Sequence, residues 1–234
     1  IRSTSSYRTV RDRSCLKILE KLYTDVRYST QHKDTVYRSL RPKDYYSSSR
    51  YSTRHIEKSE RSLKNMDIAR IDTNIDVNRI LLELEKLPEY DSQIMLQSPS
   101  GVTDPFLGVG RTTEFHYEER DFCEPTFNFT YTNSVIRRLG MFRTRVMKMK
   151  MKTCYTYHQD KTPRIHVPLV THENCFFVYE DRVVRCPADG TAYYIDTRKR
   201  HTFVNSWNQD RIHIVGCVSD LTSSRELMLR EMKN

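Results

Sequence analysis

Hydrophobic and polar residues follow two different patterns along the chain, and the change lies near residue 66. Residues 1–65 are rich in Ser, Thr, Tyr and Arg, contain no glycine and show little apolar periodicity, which predicts an extension rather than a packed core. The next apolar residues alternate over 71–75, which predicts a short strand. A helix is predicted over 76–87, because its apolar residues recur at helical spacing, with Asp76 as its N-cap and a proline directly after it.

Beyond residue 110 the pattern has the period of two that is typical of strands. Met147, Met149 and Met151 alternate with lysines, which predicts a strand with one wet face. Similar signals predict a strand around 165–169, a hairpin of 176–179 with 182–186, and strands over 192–195, 202–205 and 212–218. About six short strands after one helix favour a mainly β fold with flanking helices, a double-stranded β-helix of the jelly-roll or cupin kind. The predicted domains are the N-terminal extension, 1–65, and a β-rich domain, 66–234.

The positive charge of the chain lies almost entirely in its first part. The net charge is +9, and residues 1–70 hold 17 Lys and Arg against 8 Asp and Glu, whereas residues 71–234 hold 22 of each. A basic segment with seven tyrosines could bind nucleic acid, because cations neutralise phosphates and aromatic rings stack on bases. It could also be a solvated arm that docks on a protein partner or on its own domain, as segments of this composition commonly are. Both interpretations stay open.

Composition also excludes some classes of protein. No run approaches the roughly 18 apolar residues that a membrane span requires, and the N-terminus lacks the order of residues typical of a secretory signal. The six cysteines form no Cys-x-x-Cys pair, so a zinc ribbon is not indicated, and most are expected to be reduced, buried thiols. We therefore expect a soluble, intracellular (cytoplasmic) protein without a membrane association.

Four histidines are followed two residues later by an acid, and this spacing suits a metal site on a strand. Residues i and i+2 of a strand point to the same side, and iron(II) oxygenases bind their metal through two imidazoles and one carboxylate, which leaves three positions open. The pairs at His32 and His55 lie in the extension, where nothing rigid would fix a coordination geometry. Of the other two, at His116 and His158, only the second lies between two predicted strands.

The residues that follow this second pair favour it further. His201 precedes a later predicted strand and could complete a set with His158 and Asp160. Arg211 opens the last strand and could hold a carboxylate through paired hydrogen bonds. Spacing alone leaves open that all four are ordinary surface or core residues.

Four segments carry a family resemblance through their order and spacing: CYTYHQD at 154–160, RIHVPLVT at 164–171, IDTRKRHTFVN at 195–205 and DRIHIV at 210–215. Together they resemble the aspartyl/asparaginyl β-hydroxylases, a family that includes bacterial free-proline hydroxylases. The resemblance is specific from about residue 143 to 218, weaker over the predicted helix, and absent from the first 65 residues.

The resemblance implies roles for six residues. It implies an iron(II) site formed by His158, Asp160 and His201. It also implies a 2-oxoglutarate pocket in which Arg211 binds the C5 carboxylate and Arg164 and His166 line the walls, with a rival interpretation of His166 as a metal ligand. The animal members have a glycine where this chain has Asp160, so the complete triad resembles that of the bacterial members and argues against halogenation. Met147 lies near a position where the animal enzymes offer a serine to 2-oxoglutarate, which puts that contact in doubt.

The resemblance further implies a reaction. An enzyme of this kind uses iron(II), 2-oxoglutarate and dioxygen to hydroxylate an Asp, Asn or Pro unit, either free or within a polypeptide. Two other functions stay open at this point. The chain could be a structural or assembly protein that keeps the hydroxylase fold and docks on a larger particle through its basic arm. It could also be an oxygenase directed to nucleic acid by residues 1–65.

Overall fold

The computed structural model describes residues 67–110 and 116–219. These residues form helices α1 (Val77–Leu84) and α2 (Thr130–Arg138), a 3-10 helix (Glu119–Asp121), and strands β1 (Ile68–Asp72), β2 (Gln93–Met95), β3 (Gln97–Ser98), β4 (Glu124–Pro125), β5 (Phe142–Met149), β6 (Thr153–Cys154), β7 (Arg164–Val170), β8 (Cys175–Tyr179), β9 (Arg182–Val184), β10 (Ala192–Ile195), β11 (His201–Asn205) and β12 (Arg211–Cys217). The extension at 1–65 lies outside the described residues, so its proposed partners and the domain boundary near 66 stay predictions.

Two antiparallel sheets make up most of the β-rich domain. One has six strands in the order β1-β10-β7-β12-β5-β2, and the other has four in the order β6-β11-β8-β9. From β5 to β12 the chain passes repeatedly from one sheet to the other, as it does in a double-stranded β-helix. The predicted fold class, mainly β with flanking helices and of the jelly-roll or cupin kind, is therefore confirmed.

Both faces of the six-stranded sheet are covered, and β7 shows how the sequence achieves this. Ile165, Val167 and Leu169 pack in the hydrophobic cluster that includes residues of α1 and α2. The alternate residues, Arg164 and His166, are buried on the opposite face, which is turned towards the four-stranded sheet. That inner space is lined by a second cluster, which contains Met149, Cys175, Phe177, Tyr179, Cys186, Tyr193, Ile195 and Phe203.

The predicted strands agree with the structure around the later part of the chain. The hairpin around Glu180 and Asp181 is present as β8 and β9, and β10 has the predicted bounds. Strands β11 and β12 each begin one residue earlier than predicted, so His201 and Arg211 belong to the strands themselves. The methionine strand ends at Met149, and Met151 is exposed beyond it.

The predicted beginning of the domain needs two corrections. The first strand lies at 68–72 rather than 71–75. The helix begins as predicted, because Oδ1 of Asp76 accepts a hydrogen bond from the backbone N–H of Arg79 at 3.0 Å. It ends at Leu84 rather than at 87, because the backbone N–H groups of Lys86 and Leu87 bond to carbonyls three residues back, which tightens the last turn.

Helix α2 contradicts the prediction that the chain beyond residue 110 consists of strands alone. No side chain of its own caps its N-terminus. Instead the carboxylate of Glu83, on α1, accepts the backbone N–H groups of Tyr131 and Thr132 at 2.8 and 2.7 Å. The cap is supplied from a distant part of the chain, so the local sequence around α2 lacks the usual helix-start signal.

Two expectations from the sequence, on membrane spans and on the cysteines, can be compared with the described part of the chain. No helix there is long and apolar enough to cross a membrane. Of the five cysteines that the structure describes, Cys175, Cys186 and Cys217 are buried free thiols, Cys154 is half-buried and Cys123 is exposed. Burial raises the pKa of Cys186 to about 12, so this thiol stays protonated.

Candidate metal centre

Backbone hydrogen bonds hold the three predicted metal ligands next to one another. The backbone N–H of His158 donates to the carbonyl of His201, and the N–H of His201 donates back to the carbonyl of His158, both at 2.9 Å. The backbone N–H of Asp160 donates to the carbonyl of Thr197 at 2.8 Å. His158 and His201 are therefore directly paired, although they are far apart in sequence, and the centroids of their rings are 4.5 Å apart.

The ligand atoms of the three side chains converge on one point. Nε2 of His158 lies 3.9 Å from Oδ1 of Asp160, and Nε2 of His201 lies 3.8 Å from Oδ2 of the same carboxylate. The ligand atoms all lie within 4.8 Å of one another, so these side chains could hold a metal ion. A divalent transition metal binds such atoms at about 2.0 to 2.2 Å, and atoms this close to one another could share one ion.

The orientation of both rings favours metal binding through Nε2. Nδ1 of His158 lies 2.6 Å from the carbonyl oxygen of Thr156, and Nδ1 of His201 lies 2.9 Å from that of Lys199. Each Nδ1–H therefore donates to a carbonyl, which leaves the lone pair of Nε2 directed at the other ligands. Burial lowers the pKa of His201, which favours the neutral imidazole that a metal requires. The side chains of His158, Asp160 and His201 are 38%, 26% and 6% exposed, so the centre is open to solvent on the His158 side.

Arg164 links the carboxylate of Asp160 to a buried glutamate. Nε of Arg164 lies 3.5 Å from Oδ2 of Asp160, and its Nη2 donates to Oε1 of Glu119 at 2.9 Å. Nη1 also contacts the hydroxyl of Thr162. The predicted place of Arg164 in a co-substrate pocket stays a prediction, because its guanidinium is already engaged by these groups.

Glu119 is a residue of this site that the sequence did not reveal. It accepts Nη1 of Arg143 at 2.8 Å and the hydroxyl of Thr162 at 2.7 Å, in addition to Arg164. Burial alone would raise the pKa of this carboxyl, but Arg164, Thr162 and Arg143 together hold it below its ordinary value. The glutamate lies on a short 3-10 helix about 40 residues before the candidate ligands, and no motif marked it.

The inner face of the sheet also holds buried polar atoms that have no hydrogen-bond partner. Arg211 donates Nη2 to Nδ1 of His213 at 2.9 Å and stacks on the ring of Phe203, 3.8 Å from its centroid. Its Nε and Nη1 are buried and unpaired, as are Nε2 of His213 and both ring nitrogens of His166. Buried polar groups are normally satisfied, so such a cluster suggests a polar ligand.

The charge states of these groups suit an anionic ligand. Burial lowers the pKa of Arg211 to about 10, so its guanidinium remains charged at neutral pH. Burial and the charge of Arg211 hold the pKa values of His166 and His213 well below the ordinary value, so both imidazoles are neutral. His213, to which the sequence assigned no role, is the hydrogen-bond acceptor that fixes the guanidinium.

Known proteins resemble this chain only distantly. No family model matches the chain, and none of the curated proteins matches it. Among solved structures, an oxidoreductase of the 2OG-Fe(II) oxygenase family from Burkholderia pseudomallei is 15% identical, with 68% of this chain and 87% of that one covered and a TM-score of 0.46. The plu4264 protein from Photorhabdus luminescens is 13% identical, with 39% and 72% covered and a TM-score of 0.28. At these scores neither likeness supports an assignment of function.

Proposed function

We propose that this chain is an iron(II)- and 2-oxoglutarate-dependent oxygenase that hydroxylates an Asp, Asn or Pro unit. The observation that carries the proposal is the convergence of Nε2 of His158, Nε2 of His201 and the carboxylate of Asp160. Two imidazoles and one carboxylate, with the remaining positions open, are the ligand set typical of non-haem iron(II) oxygenases. When bound, iron(II) would supply the activation of dioxygen that the oxidation of a C–H bond requires.

Groups next to the three candidate ligands also favour metal binding, because they hold the ligands in suitable orientations. The carbonyls of Thr156 and Lys199 hold each imidazole in the tautomer that binds through Nε2. Arg164 lies against one carboxylate oxygen of Asp160 and restrains its rotation. The three ligands are therefore oriented before an ion arrives, which reduces the conformational entropy lost on binding.

Arg211 fits the far carboxylate of 2-oxoglutarate. It is a buried cation with two unpaired guanidinium nitrogens, Nε and Nη1, and a carboxylate offers the acceptors they lack. His213 and Phe203 prevent the guanidinium from turning away. His166 lies beside His213, with their ring centroids 5.8 Å apart, and its unpaired nitrogens could bond the remainder of the co-substrate.

The surroundings would keep the Arg211 end of the inner space away from bulk water, whereas the metal ligands are open to solvent on the His158 side. Aromatic and aliphatic side chains of both sheets line the inner space and pack as one cluster. A dry pocket strengthens the interaction between Arg211 and a carboxylate. The choice of Asp, Asn or Pro as substrate rests on the family resemblance alone.

The full-length protein, supplied with iron(II), ascorbate and 2-oxoglutarate, tests this proposal. We expect about one iron per chain and slow formation of succinate even without a substrate. His201→Ala should abolish both, because it removes the most buried ligand. His172→Ala is the matched control, since that exposed histidine stacks on Trp207 and lies outside the ligand set. If the wild type binds no iron and makes no succinate with any amino acid or peptide offered, a structural or assembly role for the retained fold replaces the enzyme.

A further inference from the structure

Arg145 is a buried cation on the inner face, distinct from the residues proposed to hold the metal and 2-oxoglutarate. It lies on β5 directly opposite Val215 of β12, and Val215 lies directly opposite His166 of β7. Directly opposed residues of neighbouring strands point to the same face of a sheet. Arg145 and His166 therefore share the inner face, two strands apart, which corresponds to roughly 9.5 Å between their backbones.

The guanidinium of Arg145 is poorly satisfied for a buried charge. Within residues 67–110 and 116–219, it donates one hydrogen bond, from Nη1 to Oε1 of Gln93 at 3.3 Å. Its Nε is buried without a partner. Among the described residues, no carboxylate forms an ion pair with it. Burial lowers its pKa to about 10, so the side chain is nevertheless a cation at neutral pH.

The charges around Arg145 do not balance. Arg143 and Arg164 repel it, and both are paired with the same carboxylate, that of Glu119. Asp160 attracts it, but this carboxylate also lies against Arg164 and belongs to the candidate metal ligands. Three guanidinium groups thus lie around two carboxylates, and a divalent ion would add further positive charge. Because a buried charge without a partner is strongly unfavourable, this end of the inner face calls for a further anion.

We propose that Arg145 binds a carboxylate of the substrate, so that the substrate is an acid. This inference rests on the proposed function. Under that proposal Arg211 would hold one carboxylate of 2-oxoglutarate and the other would bind at the metal ligands, so Arg145 would remain for a third carboxylate. That carboxylate is either the α-carboxylate of a free amino acid or the side chain of an aspartate within a polypeptide. Asn and Pro units inside a polypeptide are excluded, because they offer no carboxylate.

Anaerobic calorimetry tests this inference without turnover. Full-length protein is first titrated with iron(II) and then with 2-oxoglutarate. The loaded protein is next titrated with pairs of probes that differ in one carboxylate. L-Proline against L-prolinamide reports on an α-carboxylate, and a terminally blocked peptide with a central aspartate against the same peptide with asparagine reports on a side chain. We expect one acid to bind at least about tenfold more tightly than its amide, because charge-assisted hydrogen bonds to a buried cation are strong.

Variants assign that preference to Arg145. Arg145→Gln should reduce the preference for the acid to less than about threefold, and Arg145→Lys should restore part of it. Lys150→Gln is the control, since this cation lies just past the end of the same strand, is exposed and pairs with Asp91. In all variants the dissociation constant of 2-oxoglutarate is measured separately, so that a substrate effect is distinguished from a co-substrate effect.

Each result of these titrations either supports or overturns the inference that Arg145 binds a carboxylate of the substrate. The inference is overturned if the loaded wild type binds acids and amides equally or binds neither. It is also overturned if Arg145→Gln keeps the preference, or if that variant weakens 2-oxoglutarate instead of the acid. Because the wild-type comparison of acid with amide needs no variant, poor folding of Arg145→Gln does not prevent a decision. Failure of the first two titrations, with iron and 2-oxoglutarate, would overturn the proposed function and this inference together.

Discussion

Replacing Glu119 should cost far more stability than replacing an ordinary glutamate. Its carboxylate is largely buried and accepts hydrogen bonds from Arg143, Arg164 and Thr162. Removing the negative charge leaves two buried guanidinium groups without their counter-ion, and breaking a buried ion pair typically costs about 3 to 5 kcal/mol. Glu119→Gln keeps the shape and one acceptor oxygen, so we expect a loss near the lower end, about 3 kcal/mol.

Urea unfolding followed by circular dichroism measures this loss. With a slope of about 2 kcal/mol per molar urea, which is typical of a domain of this size, the midpoint should fall by about 1.5 M. Glu124→Gln is the control, since that residue is exposed on β4, and its midpoint should stay within about 0.3 M of the wild type. Equal midpoints for the two variants would show that the contacts of Glu119 contribute no net stability.

The acid side of the stability profile provides an independent check. The neighbouring cations hold the pKa of Glu119 below its ordinary value of 4.5, so its contribution is complete above about pH 4.5. That contribution is lost as the pH falls through the lower pKa of the native state. Glu119→Gln lacks the titrating group, so the gap in stability between wild type and variant should narrow as the solution is acidified. A gap that is constant with pH would contradict this account.

Two further substitutions test the start of helix α1 and the close approach of Gly190 to Ile75. Asp76→Ala removes the cap of α1 and should lower the free energy of unfolding by about 1 kcal/mol, whereas Asp76→Asn, which keeps a capping oxygen, should lose much less in the same urea assay. Gly190→Ala should be more costly, at about 1 to 3 kcal/mol, because Gly190 has φ +81° and an added Cβ would lie 2.6 Å from the carbonyl oxygen of Ile75. Gly101→Ala, also at positive φ but with open space around the added carbon, separates the backbone strain from the collision, and a loss as large as that of Gly190→Ala would contradict the steric reasoning.

Short-range regularities explain which parts of the fold the sequence could predict. The alternation of Ile165, Val167 and Leu169 is a property of one strand with a covered face, and it located β7 correctly. Asp76 caps the helix that immediately follows it, so its signal is local as well. Helix α2 was missed because its N-terminal amides are accepted by Glu83, which the sequence places almost 50 residues earlier.

The candidate site likewise contains some residues that the sequence could predict and others that it could not. The spacing of His158, Asp160 and His201, supported by the family resemblance, named three side chains that the structure brings together. Glu119 and Arg145 carry no pattern of their own, because an isolated Glu or Arg in a sequence is ordinarily a solvated residue. The importance of Glu119 comes from its burial and its contacts with Arg143, Thr162 and Arg164, which are distant in sequence. That of Arg145 comes from its place on the inner face, which only the pairing of β5 with β12 and of β12 with β7 reveals.

The direct pairing of His158 with His201 has a mechanical consequence. Beyond β6, the chain runs along the edge of β11 through isolated backbone hydrogen bonds, and this pairing is the last of them before Asp160. A metal ion bound by both imidazoles would cross-link the segment that contains His158 to strand β11. The free energy of metal binding would then add to the stability of the four-stranded sheet. Removal of the ion would allow local unfolding at the pairing of His158 with His201 before it reached the more deeply buried strands.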